Sequence, residues 1–277
     1  MWAQCPHRWK TAYIDGHREF SDNIHTLFGT SMHEVIQTFL TVMYNDTAKM
    51  AEALPLEDML LTRMKRNFES VLETNGGEMF CTEKDMVEFY QHGVEILKFI
   101  RKKRAQYFSK KGYELIGIEV PLNYDLPNNV KFVGYIDIVI RDTVRDVIKI
   151  YDIKTSTMGW NKYQKADKNK TNQLLLYKQF YSSQHNIPID TIDVEYFIVK
   201  RKLYEKLDFP QRRVQTFSPA SGKPSINKLM NNLNQFLDES FVNGEYNLEH
   251  TYIKQPSKKN CKYCEFNQTE HCDAGVK

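Results

Sequence analysis

Long apolar runs are missing from this sequence. No stretch of eighteen apolar residues occurs, which excludes a helical membrane span, and Met1 to Lys10 holds no apolar segment of the kind that opens a secretory signal. The expectation is a soluble, unexported, cytoplasmic protein with no membrane partner. Cysteine is scarce as well: five in 277 residues, too few and too unevenly spaced for a secreted disulfide scaffold. Internal repeats and low-complexity tracts are absent, which leaves one large domain with an ample core as the default. An excess of one charge is also lacking, since the net charge is only +3. The basic residues nevertheless gather in runs at 101–104, 162–170, 200–202, 212–213 and 254–262, a pattern that suits a polyanion-binding face. Taken singly, each run reads first as a solvated helix or loop face.

What is present centres on Val130 to Ser156. From Val130 to Arg141, alternation puts Phe132, Ile136, Ile138 and Ile140 on one face and Val133, Tyr135, Asp137 and Val139 on the other. Asp137 is a lone acid among apolar neighbours. The run Val147 to Lys154 places Ile148, Ile150, Asp152 and Lys154 on a single face, so carboxylate and ammonium project side by side. A polar turn, Arg141 to Asp146, joins the two runs as an antiparallel hairpin. By itself an acid two residues before a lysine is a common surface ion pair. Beside Asp137 and apolar flanks, where ionised groups are costly unless a cation offsets them, it becomes a candidate for phosphodiester hydrolysis. Two carboxylates can hold a divalent metal that polarises the phosphate and acidifies water, and the lysine can orient or deprotonate that water.

The remaining elements arrange around this hairpin. Asn23 to Tyr44 reads as a helix with Met32, Ile36, Phe39, Leu40 and Met43 as its stripe and His33 at the stripe's edge. Leu56 to Leu72 and Thr82 to Lys111 read as two further helices separated at Gly76-Gly77, with Cys81 an ordinary small apolar residue. Tyr113 to Leu122 is a strand carrying Glu119, either a site acid or an edge carboxylate. After Ser156 comes a polar, basic loop in which Trp160 and Tyr163 stand among Lys162 and Lys165. These aromatics suit stacking on unpaired bases, although Trp160 reads equally as an anchor against the core. Thr171 to Ser183 is a helix with Gln173 and Tyr177 on one face, Thr191 to Lys200 a buried strand, and Ile226 to Val242 a last helix. Cys261, Cys264 and Cys272 form CxxCx7C near the end, and Cys5 stands in CPHRWK near the start. CxxC spacing serves zinc and iron-sulfur clusters alike.

Gly134-x-x-Asp137, Asp152-Ile153-Lys154 and Gln173-x-x-x-Tyr177 together resemble the PD-(D/E)xK nuclease superfamily, in its RecB-like and CRISPR-adaptation exonuclease branch. No Pro precedes Asp137, a form common in that branch. The resemblance implies that Asp137, Asp152 and the backbone carbonyl of Ile153 bind Mg2+ or Mn2+ and that Lys154 is catalytic, with Gln173 and Tyr177 in support. Gly29-Thr30-x-x-His33 resembles the family's first helical motif, which implies His33 as a further ligand and Glu119 as an accompanying acid. One cysteine before the core and three after it resemble the family's iron-sulfur arrangement, which implies a 4Fe-4S cluster on Cys5, Cys261, Cys264 and Cys272, with Zn2+ as the alternative. The implied fold is α/β, a central mixed sheet flanked by helices as in restriction endonucleases. One nuclease domain would span 1–277: a helical insertion at about 47–111, a catalytic core at about 112–217, and a C-terminal helix and cysteine cluster at about 224–277. The implied activity is a metal-dependent DNase, a single-strand or end-directed exonuclease of repair, recombination or replication, working with helicase or recombination proteins. The competing readings are a nucleic-acid-binding protein with a vestigial site and a zinc knot, and an endonuclease of RNA or branched DNA.

Overall fold

Both kinds of periodicity in the sequence become structure in the computed structural model, which describes residues 1–18, 21–204 and 209–276. In chain order the main elements are α1 (Pro6–Tyr13), α2 (Ile24–Asn45), α3 (Ala48–Glu52), α4 (Leu56–Thr74), α5 (Glu83–Tyr107), β1 (Tyr113–Leu126), β2 (Val130–Asp142) and β3 (Val147–Ser156). Then come α6 (Lys162–Ala166), α7 (Lys168–His185), β4 (Ile192–Lys200), β5 (Val214–Phe217), α8 (Lys223–Ser240), β6 (Phe241–Val242), β7 (Glu245–Tyr246) and α9 (Lys258–Cys261). The chain forms two compact units. The larger comprises 22–122 and 133–222, the smaller 1–21, 123–132 and 223–277.

The larger unit is built on a five-stranded mixed sheet in the order β1-β2-β3-β4-β5. The β2–β3 pair is antiparallel, as the hairpin pattern predicts. β3 and β4 pair in parallel and β4 and β5 antiparallel, so β4 is an interior strand, buried at six of its nine residues. Helix α2 starts where Asn23 caps it: its side chain accepts the N–H groups of His25 and Thr26, while Thr26 returns a bond to the Asn23 N–H. The stripe of α2 is fully buried in one core with residues of α4, α5 and one sheet face. Gly76 and Gly77, both at positive φ (64° and 88°), carry the chain between α4 and α5. On the opposite sheet face α7 packs against β3 and β4.

Two expectations need correction. The segment after Ser156 is not loop throughout: Asn161 caps a five-residue helix, and Asp167 starts α7 at Lys168 rather than Thr171. The last long helix ends at Ser240, because Phe241 and Val242 pair with β7. Within the basic segment 200–213, residues 205–208 lie outside the described residues.

In the smaller unit the Trp9 ring of α1 lies 5.1 Å from Phe236, 6.1 Å from Phe241 and 5.7 Å from Tyr252, an aromatic cluster that ties α1 to α8 and the β6–β7 hairpin. Among the described residues no helix is long and apolar enough to cross a membrane.

Candidate active site

The β2–β3 ladder pairs Asp142 with Val147 and runs to Ile138 opposite Tyr151. Just beyond it the strands part, and a side chain takes over from the main chain: Asp137 Oδ2 accepts the Ile153 N–H at 2.6 Å. Because the N–H and carbonyl of a strand residue face the same side, the Ile153 carbonyl opens toward this gap. β3 stays paired with β4 from Ile148 through Ser156, so Asp152 and Lys154 sit on a strand that is held from one side and free to act on the other.

Asp152 is buried, at 1 % side-chain exposure. Lys154 Nζ stands 2.6 Å from Asp152 Oδ2 as its ion-pair partner. The same ammonium donates to Gln173 Oε1 at 3.0 Å, and the Gln173 amide donates to the Tyr177 hydroxyl at 2.9 Å. The lysine is thus held by an acid on its own strand and by a relay on α7. Both site residues expected on that helix, four positions apart, fall on the face that reaches Lys154.

From the other side of the gap, α2 brings His33 Nδ1 to 3.6 Å from Asp137 Oδ2. Desolvation pulls the His33 pKa below its ordinary value and outweighs the opposing pull of Asp152, so the neutral imidazole, with one N–H and one nitrogen lone pair, is favoured. Burial raises the pKa of Asp137 from 3.8 to about 6, and burial likewise raises Asp152 to about 6 against the pull of Lys154. Two desolvated carboxylates share the single Lys154 ammonium, so the site carries more negative than positive charge.

Glu119 enters in a way that the strand pattern does not show. Exposed residues of β1 are even-numbered at Glu114 and Ile116 but odd-numbered at Glu119, Pro121 and Asn123. The phase flips at a bulge, where Glu119 adopts φ 49°, a conformation that side chains rarely occupy. The bulge lets its carboxylate accept a short hydrogen bond from Gln37 Nε2, which also lies 3.5 Å from the Asp137 carbonyl. Gln37 went unnoticed in the sequence. Its signal is there: a glutamine four residues after His33, buried in an otherwise apolar stripe.

Among the described residues, no three His, Cys, Asp or Glu side chains converge closely enough to chelate an ion as they stand, at the acidic gap or at the cysteines. Cys5, Cys261, Cys264 and Cys272 do line one small cavity of about 20 Å3 in the smaller unit, with His7 beside them, while Cys81 stands apart before α5. Trp160, which reads equally from the sequence as a stacking ring or an anchor, is buried: its ring lies 4.8 Å from Tyr196, and its backbone N–H and carbonyl are both bonded to the Gln215 side chain. Its neighbours complete the loop: Tyr163 is 73 % exposed with Lys162 over its ring, and Lys165 lies over Phe217. Of the two rings in this segment, Tyr163 is the exposed one and Trp160 the buried one.

The raised carboxylate pKa values carry a stability prediction. An acid with a folded pKa above its unfolded one binds its proton more tightly when folded, so stability falls as pH rises from about 4 to about 6 and stays low above that. A shift from 3.8 to about 6 corresponds to a cost on the order of 3 kcal/mol. Metal-free Asp152→Asn is expected to melt above wild type at pH 8, with the gap closing below pH 4. A lower melting temperature at pH 8 would show that Asp152 is held by partners rather than strained by burial. Mg2+ or Mn2+ should raise the melting temperature of wild type and not that of the variant.

A search of the curated proteins finds no match. Among solved structures, the chain is similar to one described as a "Putative exonuclease" from Eubacterium rectale, with 15 % identity and a TM-score of 0.44, over 84 % of this chain and 73 % of that one. The family model of the PD-(D/E)XK nuclease superfamily matches residues 2–269, nearly the full length and every element of the acidic gap. The chain belongs to the PD-(D/E)XK nuclease superfamily.

Proposed function

We propose that this nuclease is a metal-dependent deoxyribonuclease acting on single strands or free ends in repair, recombination or replication. The observation that carries the reading is the buried Asp152 carboxylate, ion-paired to Lys154 and set beside Asp137. A vestigial site would have shed at least one of the three. In this reading Asp137, Asp152, the Ile153 carbonyl and His33 hold a divalent cation, and Glu119 stands behind them through Gln37. The donor set fits: two carboxylates and a carbonyl suit a hard ion, and one imidazole widens the choice to manganese. When bound, such an ion polarises the phosphoryl oxygens and acidifies water.

The chain's own residues do the rest. Lys154, fixed by Asp152 and Gln173, orients or deprotonates the attacking water, and Tyr177 keeps Gln173 turned toward the lysine. Tyr163, Lys162 and Lys165 line an approach for the strand. End-labelled linear and circular single-stranded DNA with Mg2+ or Mn2+ test the proposal: linear substrate is expected to be degraded and circular substrate to persist. Equal loss of both would leave an endonuclease, and loss of RNA alone would replace the substrate class.

For the four cysteines the proposal is a 4Fe-4S cluster, on the strength of the resemblance and of their shared cavity. The cavity's volume favours the second reading, a single zinc ion, because about 20 Å3 holds one water-sized occupant without rearrangement. Cytoplasmic location and helicase or recombination partners belong to the same proposal.

A further inference from the structure

Strand β2 presents Asp137 on a face that continues outward from the acidic gap. Along that face Val139 is fully buried, the Asp137 side chain is 13 % exposed, Tyr135 is 56 % exposed and Val133 is 62 % exposed. The face therefore rises from core to solvent within four alternate positions, and the carboxylate marks the waterline. Tyr135 has neither a hydrogen-bond partner nor a ring partner among the described residues. Aromatic residues are common in strands, but they are there to be covered by cross-strand or facing neighbours, and here nothing covers the ring. At about 3.3 Å per residue, Tyr135 stands roughly 7 Å along the strand from Asp137 on the same side. That offset matches a group one nucleotide from the phosphate under attack.

We propose that Tyr135, flanked by Val133, is the platform on which the unpaired base next to the scissile phosphate stacks, so that this face selects single-stranded substrate. The inference rests on the nuclease reading and adds the residue that would read strandedness. A π-face accepts any base, so the platform gives preference for unpaired bases without preference for sequence. In a duplex the same base is stacked between its neighbours and unavailable, so a duplex end must open before it can engage. Two residues away, the acids would then meet the phosphate of an extended strand.

The test uses the full chain in EDTA, where no cleavage occurs, and a single-stranded oligonucleotide carrying 2-aminopurine next to its end. Wild type is expected to quench the fluorophore on binding. Tyr135→Ala should abolish the quench and weaken single-strand affinity about 5- to 150-fold, the loss of one base–aromatic stack, while duplex affinity moves less than about twofold. Tyr135→Phe and Tyr135→Trp should keep both quench and affinity, since stacking needs the ring and not the hydroxyl. Unchanged quench in Tyr135→Ala would overturn the proposal, as would equal losses on single strand and duplex, or a Phe variant as weak as Ala. A change of oligomeric state in Tyr135→Ala without a change in quench would assign the face to protein contact and overturn it too. Wild type that binds no nucleic acid would overturn the nuclease reading itself, an outcome distinct from a platform that fails on a protein that does bind.

Discussion

Lys154→Ala is expected to lower the rate of DNA cleavage by about 10²- to 10³-fold or more at saturating Mg2+ or Mn2+, the scale of removing one preorganised charged group from a water-poor site. The lysine touches both Asp152 and Gln173, and no other ammonium among the described residues is ion-paired to Asp137 or Asp152, so nothing nearby replaces it. Asp137→Ala and Asp152→Ala should lose activity at least as completely, because each removes a donor to the proposed ion, and Asp152→Ala also frees the lysine from its acid. Affinity for DNA should persist in all three variants, since phosphate contacts from the basic runs supply most of it and fall off with salt. Gln173→Ala should cost less, by letting the lysine swing rather than deleting it. Single-turnover cleavage with a binding measurement on the same preparations separates the two effects. Cleavage at the wild-type rate in Lys154→Ala would sink the proposed mechanism while leaving the family membership intact.

The largest expected change in stability lies at the cysteines. An ion or cluster held by Cys5 and by Cys261, Cys264 and Cys272 joins residues near the two ends of the chain and closes nearly all of it into one loop. On the chain-entropy argument such closure is worth roughly 5 kcal/mol, through the freedom it removes from the unfolded state. Cys5 immediately precedes α1, Cys261 is buried at the end of α9, and all four thiols line one cavity. Replacing any one of the four by Ala should lower Tm by about 10–20 °C. Cys81→Ala, the internal control, should leave Tm nearly unchanged. Anaerobically purified wild type containing iron and acid-labile sulfide would confirm the cluster, and stoichiometric zinc without sulfide would assign the knot. Four Ala variants melting with wild type would remove the metal altogether.

Several features of the site were legible because a strand alternates strictly and a helix repeats every 3.6 residues. Period two placed Asp152 and Lys154 together. Spacing of four placed Gln173 and Tyr177 on the same helix face, and the stripe of α2 named its core residues before any contact was known. The hairpin and the break at Gly76-Gly77 follow from similarly local rules, whereas the mixed sheet came from the family resemblance. Local rules also left one choice open. Trp160 lies in a polar, lysine-rich segment, and only the position of Gln215 and Tyr196, far along the chain, decides that its ring turns inward.

What the amino-acid order determined by itself was the identity of the candidate groups and, wherever the strand or helix period runs unbroken, the faces they occupy. Only the tertiary structure decided how those faces meet. That Ile153 gives its N–H to Asp137 depends on where β2 and β3 part, and that Glu119 reaches Gln37 depends on a single left-handed residue in a bulge. The elevated pKa values of the two acids follow from how completely α2, α7 and the sheet exclude water from them. Burial, divergence of strands and the meeting of residues distant in sequence are sums over the whole packed unit, and no window of sequence contains them.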